Sequence, residues 1–220
     1  KYAKHAHKFF VLEHSLDSSL YSGVYKKSQK FVMRYIGNFY GSRTPEALLK
    51  ALHSIVKSGA IKKGQFVFEI IGTGLKISHL IGKYGLRDIV VHKIPVDYLS
   101  SLKLMREADV LVVIDAETTK MNVFLPSKLI DYLGARRPLL GITPKDSPSA
   151  RVIKEAGGLV AEPMDINAVI SIIKNLIDLH KKGKLGDFIP KAYVVQQYST
   201  KNKIREFERL INSAVYPQKK

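Results

Sequence analysis

The sequence predicts an α/β fold in which about six parallel strands form one doubly wound sheet with helices on both faces. Short apolar runs alternate with longer segments that carry apolar residues at helical spacing, from residue 31 to about residue 180. Several of the short runs end in glycine-containing turns, which suits the loops at the carboxyl edge of such a sheet. The length of 220 residues is sufficient for one substantial core.

Six apolar runs are the predicted strands of this sheet. They are residues 31–36, 65–71, 89–92, 108–114, 138–140 and 157–161. The fourth run is almost continuously apolar and rich in valine, as expected for a strand that is buried on both faces. A further run, at residues 8–12, also has strand-like composition.

The helices are predicted from apolar spacing and from their start signals. They cover residues 46–56, 75–84, 96–106, 127–134, 148–156 and 164–180, and residues 189–214 as one long helix or a pair broken at Tyr198-Ser199. Thr44 is a plausible N-cap with Pro45 at the first helical position, and Pro126 likewise opens the fourth helix. The helix at 96–106 is expected to bury Val96, Leu99, Leu102 and Met105.

Composition limits the possible functions. There is no cysteine, which excludes disulfides and thiolate chemistry, and no apolar run approaches the roughly 20 residues that span a bilayer. The formal net charge of +17 indicates anionic partners: nucleic acid, an acidic membrane surface or phosphorylated small molecules. The histidines are scattered, so no metal site is expected, and neither a nucleophile elbow nor a pair of hydrolytic acids is present.

Four strand-to-helix crossings carry the candidate site, because helix N-termini at that edge of a parallel sheet hold anions. The candidate residues are Gly37, Asn38 and Arg43 at the first crossing, Gly72, Thr73 and Gly74 at the second, His92 and Ile94 at the third, and Pro126, Ser127, Lys128, Leu129 and Asp131 at the fourth. Arg43 suits phosphate because a guanidinium donates paired hydrogen bonds. Ile77 stands where a nicotinamide fingerprint requires its third glycine, which argues against that cofactor.

The order of these motifs resembles the donor-binding half of GT-B glycosyltransferases of the group 1, or family 4, class. Residues 126–140, PSKLIDYLGARRPLL, are similar to the family's P-S-K-L-x-E-Y-L-A-x-G-x-P-V-L block, and Gly37 with Arg43 matches its G-x5-[KR] turn. The resemblance implies that Asp131 holds the ribose hydroxyls of a nucleotide sugar. The first acid of the family's Glu-x7-Glu motif falls on Val123, so Asp115 or Glu117 is considered as its replacement.

The resemblance implies one Rossmann-like domain, the donor half of a GT-B enzyme, over residues 1–220. Within it the core is 31–180, residues 1–30 are a segment that follows the interdomain hinge, and 187–220 are a helical extension. The chain starts without methionine and is expected to be a fragment that lacks the N-terminal acceptor domain. Apolar residues of the extension, such as Tyr193, Val194, Val195 and Phe207, are then expected to lack a partner.

The implied activity is retaining transfer of a sugar from a nucleotide-sugar to a hydroxyl acceptor in glycan or glycolipid synthesis. Arg43 and Lys128 are the candidate catalytic residues, no cofactor or obligate metal is expected, and the fragment alone is expected to be inactive. We expect a cytoplasmic location with possible attachment to an anionic membrane face. Two alternatives remain open: a basic module that binds nucleic acid or an anionic surface, and a sugar-nucleotide epimerase of GT-B shape.

Overall fold

The predicted parallel sheet is present in the computed structural model, which describes residues 9–23, 28–74, 76–116 and 123–215. Its strands are β1 (Phe31–Ile36), β2 (Phe66–Ile71), β3 (Val90–Lys93), β4 (Val110–Ile114), β5 (Leu139–Ile142) and β6 (Leu159–Ala161). Their order in the sheet is β3-β2-β1-β4-β5-β6, and every recorded pairing is parallel. The direction of winding therefore reverses between β1 and β4, which is where sheets of this kind bind ligands.

Helices cover both faces of the sheet. They are α1 (Glu46–Lys57), α2 (Ile77–Lys83), α3 (Tyr98–Glu107), α4 (Ser127–Ala135), α5 (Pro148–Ala156), α6 (Ile166–Lys181), α7 (Ala192–Gln197) and α8 (Thr200–Val215). Helices α1, α2 and α6 share one apolar core with the side chains on one face of the strands. Helices α3, α4, α5 and α7 share the second core, on the opposite face. The two cores confirm the doubly wound α/β prediction.

Three details of the sequence prediction are wrong. The apolar residues 9–12 form no strand, and their side chains are exposed. Helix α3 begins at Tyr98 behind its N-cap Asp97, so Ser101, Leu102 and Met105 face the core while Val96 and Leu99 are exposed. Pro45 and Pro126 were expected to be the first residues of α1 and α4, but they are the N-caps, and the helices begin one residue later.

The C-terminal extension is a helix pair, with its break where the sequence predicts it, at Tyr198-Ser199. The expectation that Val194 and Val195 lack a partner is wrong, because α7 packs on α4 and α5 and buries both. Tyr193 and Phe207 are about half exposed, and the Tyr193 hydroxyl contacts the Glu155 carbonyl oxygen (3.5 Å).

The segment before β1 is attached to this extension. Leu16 is buried, its N–H donates to the Tyr198 carbonyl (2.8 Å), and its own carbonyl accepts from the Thr200 N–H (2.9 Å). The chain therefore enters the domain beside the junction between α7 and α8.

A charged network crosses the sheet within otherwise apolar strands. Arg34 on β1 and Glu69 on β2 are register partners, both are 8% exposed, and their side chains form an ion pair. Lys93 from β3 also donates to Glu69, while Arg34 Nη1 donates to the Leu104 carbonyl (2.6 Å). Although burial alone raises the pKa of Glu69, the hydrogen bonds from Lys93 and Arg34 hold it below 4.5. Each buried charge in these strands thus has a partner of opposite sign.

We expect Glu69→Ala to lower the free energy of unfolding by about 3 kcal/mol, because it leaves the buried Arg34 charge without its main partner. The pKa of Glu69 is lower in the folded than in the unfolded chain. The stabilisation is therefore present above pH 4.5 and is lost as the pH falls through the folded pKa. Urea unfolding at neutral and acidic pH measures both effects. Glu208→Ala, on the exposed face of α8, is the control, and equal losses in the two variants contradict the network's role.

Candidate functional site

The turn after β1, at Gly37, and the turn after β2, at Gly72, are in contact because both contain glycine. Gly72 has φ +147°, and a Cβ there would lie 2.0 Å from the Gly37 carbonyl oxygen, so only glycine fits. The Asn38 side chain accepts a hydrogen bond from the Thr73 N–H (2.8 Å), and His92 Nε2 contacts the Gly72 carbonyl oxygen (2.9 Å). The predicted site residues of three crossings are therefore joined, with Asn38 and His92 holding the backbone of the turns.

Lys128 reaches across from the first turn of α4 to the end of β1. Its ammonium donates to the Tyr35 hydroxyl (2.7 Å) and lies 4.0 Å from the centroid of the Tyr35 ring. A Cβ at Gly37 would lie 2.2 Å from Lys128 Nζ, so this glycine leaves room for the lysine. Burial and then the positive charge of Arg43 lower the pKa of Lys128 to about 7, against an opposing effect of Asp115.

Arg43 is buried beside Asp115 at the end of β4. Its Nη2 lies 3.9 Å from Asp115 Oδ1, and its guanidinium lies over the rings of Tyr40 (4.8 Å) and Phe124 (5.8 Å). Arg43 Nε and Asp115 Oδ1 have no hydrogen-bond partner among the described residues. Buried groups of this kind are normally paired, so the long ion pair leaves unused donor and acceptor capacity at the centre of the site.

Asp115 is anchored from the other side. Its Oδ2 accepts from Thr143 Oγ1 (2.7 Å), which also hydrogen-bonds with Ser147 Oγ (2.7 Å), the N-cap group of α5. Asp115 is 3% exposed, so in this arrangement it orients Arg43. Glu117, the other candidate for the absent acid, lies outside the described residues.

The remaining predicted residues lie around α4. Ser127 is exposed at the helix N-terminus, where the first backbone N–H groups have no partner within the helix, while Leu129 and Pro126 are buried beneath. Asp131, one turn further, accepts hydrogen bonds at Oδ1 from the hydroxyls of Tyr21 and Tyr98, each at 3.0 Å. Ile94 is exposed at the start of the β3–α3 loop. Gly74 packs closely against Ile77, so it serves the packing of α2.

Several residues of this site carry no sequence signal of their own. Tyr35 and Tyr132 lie in apolar runs, which are typical of core residues. The Tyr132 hydroxyl nevertheless accepts a hydrogen bond from the Ile36 N–H (2.8 Å) at the end of β1. Tyr21 lies in a polar segment and reaches Asp131 over a sequence separation of 110 residues. Thr143 and Ser147 follow β5, where the sequence predicts a helix that starts at the ligand edge of the sheet but no candidate site residue. Position at the carboxyl edge of the sheet is the one signal that applies to both of them.

A second cleft lies at the opposite, amino-terminal edge of the sheet. It has a volume of about 500 Å³, its walls include Phe31, Ile61 and His180, and it contains none of the motif residues. No metal-ligating cluster of three His, Cys, Asp or Glu side chains occurs among the described residues. No helix in that part of the chain is long and apolar enough to cross a bilayer.

No protein-family model and no curated protein matches the sequence. The structure is similar to solved glycosyltransferases with the GT-B fold. Sucrose-phosphate synthase from Thermosynechococcus elongatus aligns with TM-score 0.71 and 16% identity over 93% of this chain and 52% of that chain. Anabaena HepE in complex with UDP and glucose aligns with TM-score 0.68 and 14% identity over 90% and 55%. The pneumococcal O-GlcNAc transferase GtfA in complex with UDP and GlcNAc aligns with TM-score 0.61 and 15% identity over 93% of this chain and 38% of that chain.

These likenesses confirm the predicted fold, one half of a GT-B architecture. The chain spans between 38% and 55% of the length of these three structures. At 14–16% identity the likeness shows the fold, and the function of this chain has to be argued from its site.

We expect Lys128→Met to stabilise the chain near neutral pH. The lysine pKa falls from 10.5 to about 7 on folding, so its penalty is absent above pH 10.5, grows as the pH falls and is complete below pH 7. Methionine keeps the packing on Tyr35 without the charge and should raise the unfolding free energy at pH 6.5 by roughly 1–3 kcal/mol. Urea unfolding from pH 6.5 to about 9.5 measures the effect. Lys201→Met on exposed α8 is the control, and a destabilised Lys128→Met variant contradicts the electrostatic account.

Proposed function

We propose that this chain binds a nucleotide-sugar and forms the donor half of a glycosyltransferase that moves the sugar to a hydroxyl acceptor. The observation that carries the proposal is the convergence of Arg43, Lys128 and the N-terminus of α4 at the switch point of the sheet, with Arg43 Nε left without a hydrogen-bond partner among the described residues. Two cations and a helix N-terminus suit a diphosphate. In this proposal Asp131, one turn beyond, accepts hydrogen bonds from ribose hydroxyls. The bound UDP and sugars of HepE and GtfA support the same ligand class.

The proposed role in the reaction is stabilisation of the leaving nucleoside diphosphate. When the bond between the anomeric carbon and the diphosphate oxygen breaks, the electron pair stays on that oxygen and negative charge grows there. Arg43, Lys128 and the α4 amides are fixed before the reaction, so they stabilise that charge without reorganising. These groups supply positive charge within the protein, and we expect no obligate metal. Retention of anomeric configuration is part of the proposal by family resemblance.

Lys128 couples ligand binding to proton uptake in this scheme. With a pKa of about 7 it is partly neutral at physiological pH. A diphosphate beside it favours the charged form. The site therefore holds one positive charge that forms fully only when the anion arrives.

We propose that a second domain covers the exposed apolar surface of this chain and closes the donor crevice. The surface comprises residues 9–12 and a stripe on α8 with the spacing of one helix face, formed by Ile204, Phe207, Ile211 and Val215. Large apolar side chains that are exposed together along one helix face indicate an interaction site. This chain aligns with only 52% of the sucrose-phosphate synthase chain and 55% of the HepE chain, so about half of each solved chain lies outside the aligned region.

We expect Arg43→Ala and Asp131→Ala each to weaken nucleoside diphosphate binding about tenfold or more, because each removes a charge-assisted hydrogen bond. Calorimetry with UDP, GDP and ADP and their glucose conjugates measures the effect and identifies the base. Arg209→Ala and Asp187→Ala change the same charges at exposed positions away from the crevice and should bind like the parent. If the Arg43 and Asp131 variants bind as tightly as the parent, the proposed site is misplaced.

We expect residues 1–220 to bind the donor but to show no measurable sugar transfer, because the crevice is open to water, which screens the charges that stabilise the leaving group. A radiolabelled UDP-sugar assay with and without a separately produced second domain tests this. Transfer at an ordinary enzyme rate by this chain alone contradicts the proposal. Acceptor-independent release of a changed nucleotide-sugar would support the epimerase alternative.

The net charge of +17 leaves a membrane or a nucleic acid as the rival partner of the basic surface. Co-sedimentation with anionic and with neutral vesicles tests the membrane as a partner. Binding to the anionic vesicles alone would support it, since attraction to anionic lipid adds about 1 kcal/mol per basic residue near the surface. Nucleic-acid binding would instead show a steep loss of affinity with salt and no preference for nucleotide-sugars.

A further inference from the structure

The carboxylate of Asp131 is held by two tyrosines from different parts of the chain. The hydroxyls of Tyr21 and Tyr98 both donate to its Oδ1, each at 3.0 Å. Its other oxygen, Oδ2, accepts no hydrogen bond from the described residues. One oxygen is therefore committed to the protein and the other is left for a ligand.

The two tyrosines are placed differently. The Tyr21 ring lies flat against Gly134, where a Cβ would come within 2.5 Å of Tyr21 Cζ, so a small residue on α4 is required for this contact. Tyr98 is the first residue of α3, whose N-terminus is fixed by the Asp97 side chain accepting from the Ser100 N–H (3.0 Å). Tyr98 is 54% exposed and directly follows the β3–α3 loop.

The hydrogen bonds also act on the charge of Asp131. Burial has the largest effect and raises the pKa of Asp131 above its ordinary value, while the donors Tyr21 and Tyr98 and the more distant charge of His14 limit that rise. The other acid that faces this group is Asp17, whose charge acts on Tyr98. Without the two hydroxyls, burial would act against a carboxylate that has only His14 to support its charge.

We propose that Tyr21 and Tyr98 are positioning residues that fix Asp131 with Oδ2 toward the ligand, so that the pair sets the preference for a ribose diol. The proposal rests on the proposed function, in which Asp131 accepts from ribose hydroxyls. It assigns specificity for the sugar of the nucleotide to a three-residue unit formed by the segment before β1, α3 and α4. Neither tyrosine needs to touch the diphosphate.

The test compares UDP with 2′,3′-dideoxy-UDP, or the equivalent GDP or ADP pair if the parent prefers that base. We expect Tyr21→Phe and Tyr98→Phe each to weaken binding of the ribonucleotide about three- to tenfold and to leave binding of the dideoxy analogue nearly unchanged. Phenylalanine keeps the ring on Gly134, and thermal unfolding checks that the fold is intact. Tyr193→Phe on α7, whose hydroxyl lies away from the crevice, is the control.

A pH series from about 4.5 to 8 provides a readout that a purely structural role would not move. Loss of either hydroxyl raises the pKa of Asp131, so the ribonucleotide preference should disappear at a higher pH in the variants than in the parent. Lys128 titrates in the same range but acts equally on both ligands, so the ratio of the two affinities isolates Asp131.

Three outcomes are decisive. If Asp131→Asn abolishes the ribonucleotide preference but both tyrosine variants keep it with an unchanged pH profile, the positioning role is wrong and the proposed function stands. If the tyrosine variants weaken both ligands equally, the residues act only on the fold, and the inference is overturned. If the parent binds none of the three nucleoside diphosphates, the proposed function fails and this inference fails with it.

Discussion

Parallel pairing of β1 with β2 on one side and β4 on the other is the constraint on which the site depends. All three strands end at the same edge, so the turns after them must share a small space. The turn after β2 approaches the turn after β1 so closely that Gly72 admits no side chain. The same compactness at Gly37 leaves the space that Lys128 occupies. Arg43, in the loop after β1, and Lys128, on α4, come close together because the turns between them have glycine, without a side chain, at Gly37 and Gly72.

The site concentrates unfavourable charge. Arg43 and Lys128 lie close enough for the positive charge of one to lower the pKa of the other, and Asp115 offsets this only through a long ion pair. A buried guanidinium with an unused donor is destabilising on its own and becomes favourable when an anion supplies the missing acceptor. In the proposed function, the surrounding fold holds these groups in place for the anion at some cost in stability.

The sequence was sufficient for the architecture because each strand is a compact apolar run and the segments between them carry apolar residues at helical spacing. It also predicted that Arg43, Lys128 and Asp131 lie at or just after strand-to-helix crossings, which the structure confirms, while their part in ligand binding stays a prediction. It did not predict Tyr21 or Tyr98, because their contact with Asp131 joins segments far apart in the chain and depends on how α3 and α4 pack. It placed Leu99 in the core because periodicity fixes the spacing of a helix face but not its rotation, which the Asp97 cap determines.

Leu16 and its hydrogen bonds to Tyr198 and Thr200 have a mechanical consequence. The polypeptide passes into the sheet domain and out toward α8 at one point, where two backbone segments run side by side. Because the segment that contains Leu16 also carries Tyr21, this pairing links the position of the junction between α7 and α8 to that of a side chain that donates to Asp131. A displacement of α8 at the junction would therefore be transmitted to Asp131 through the backbone before β1.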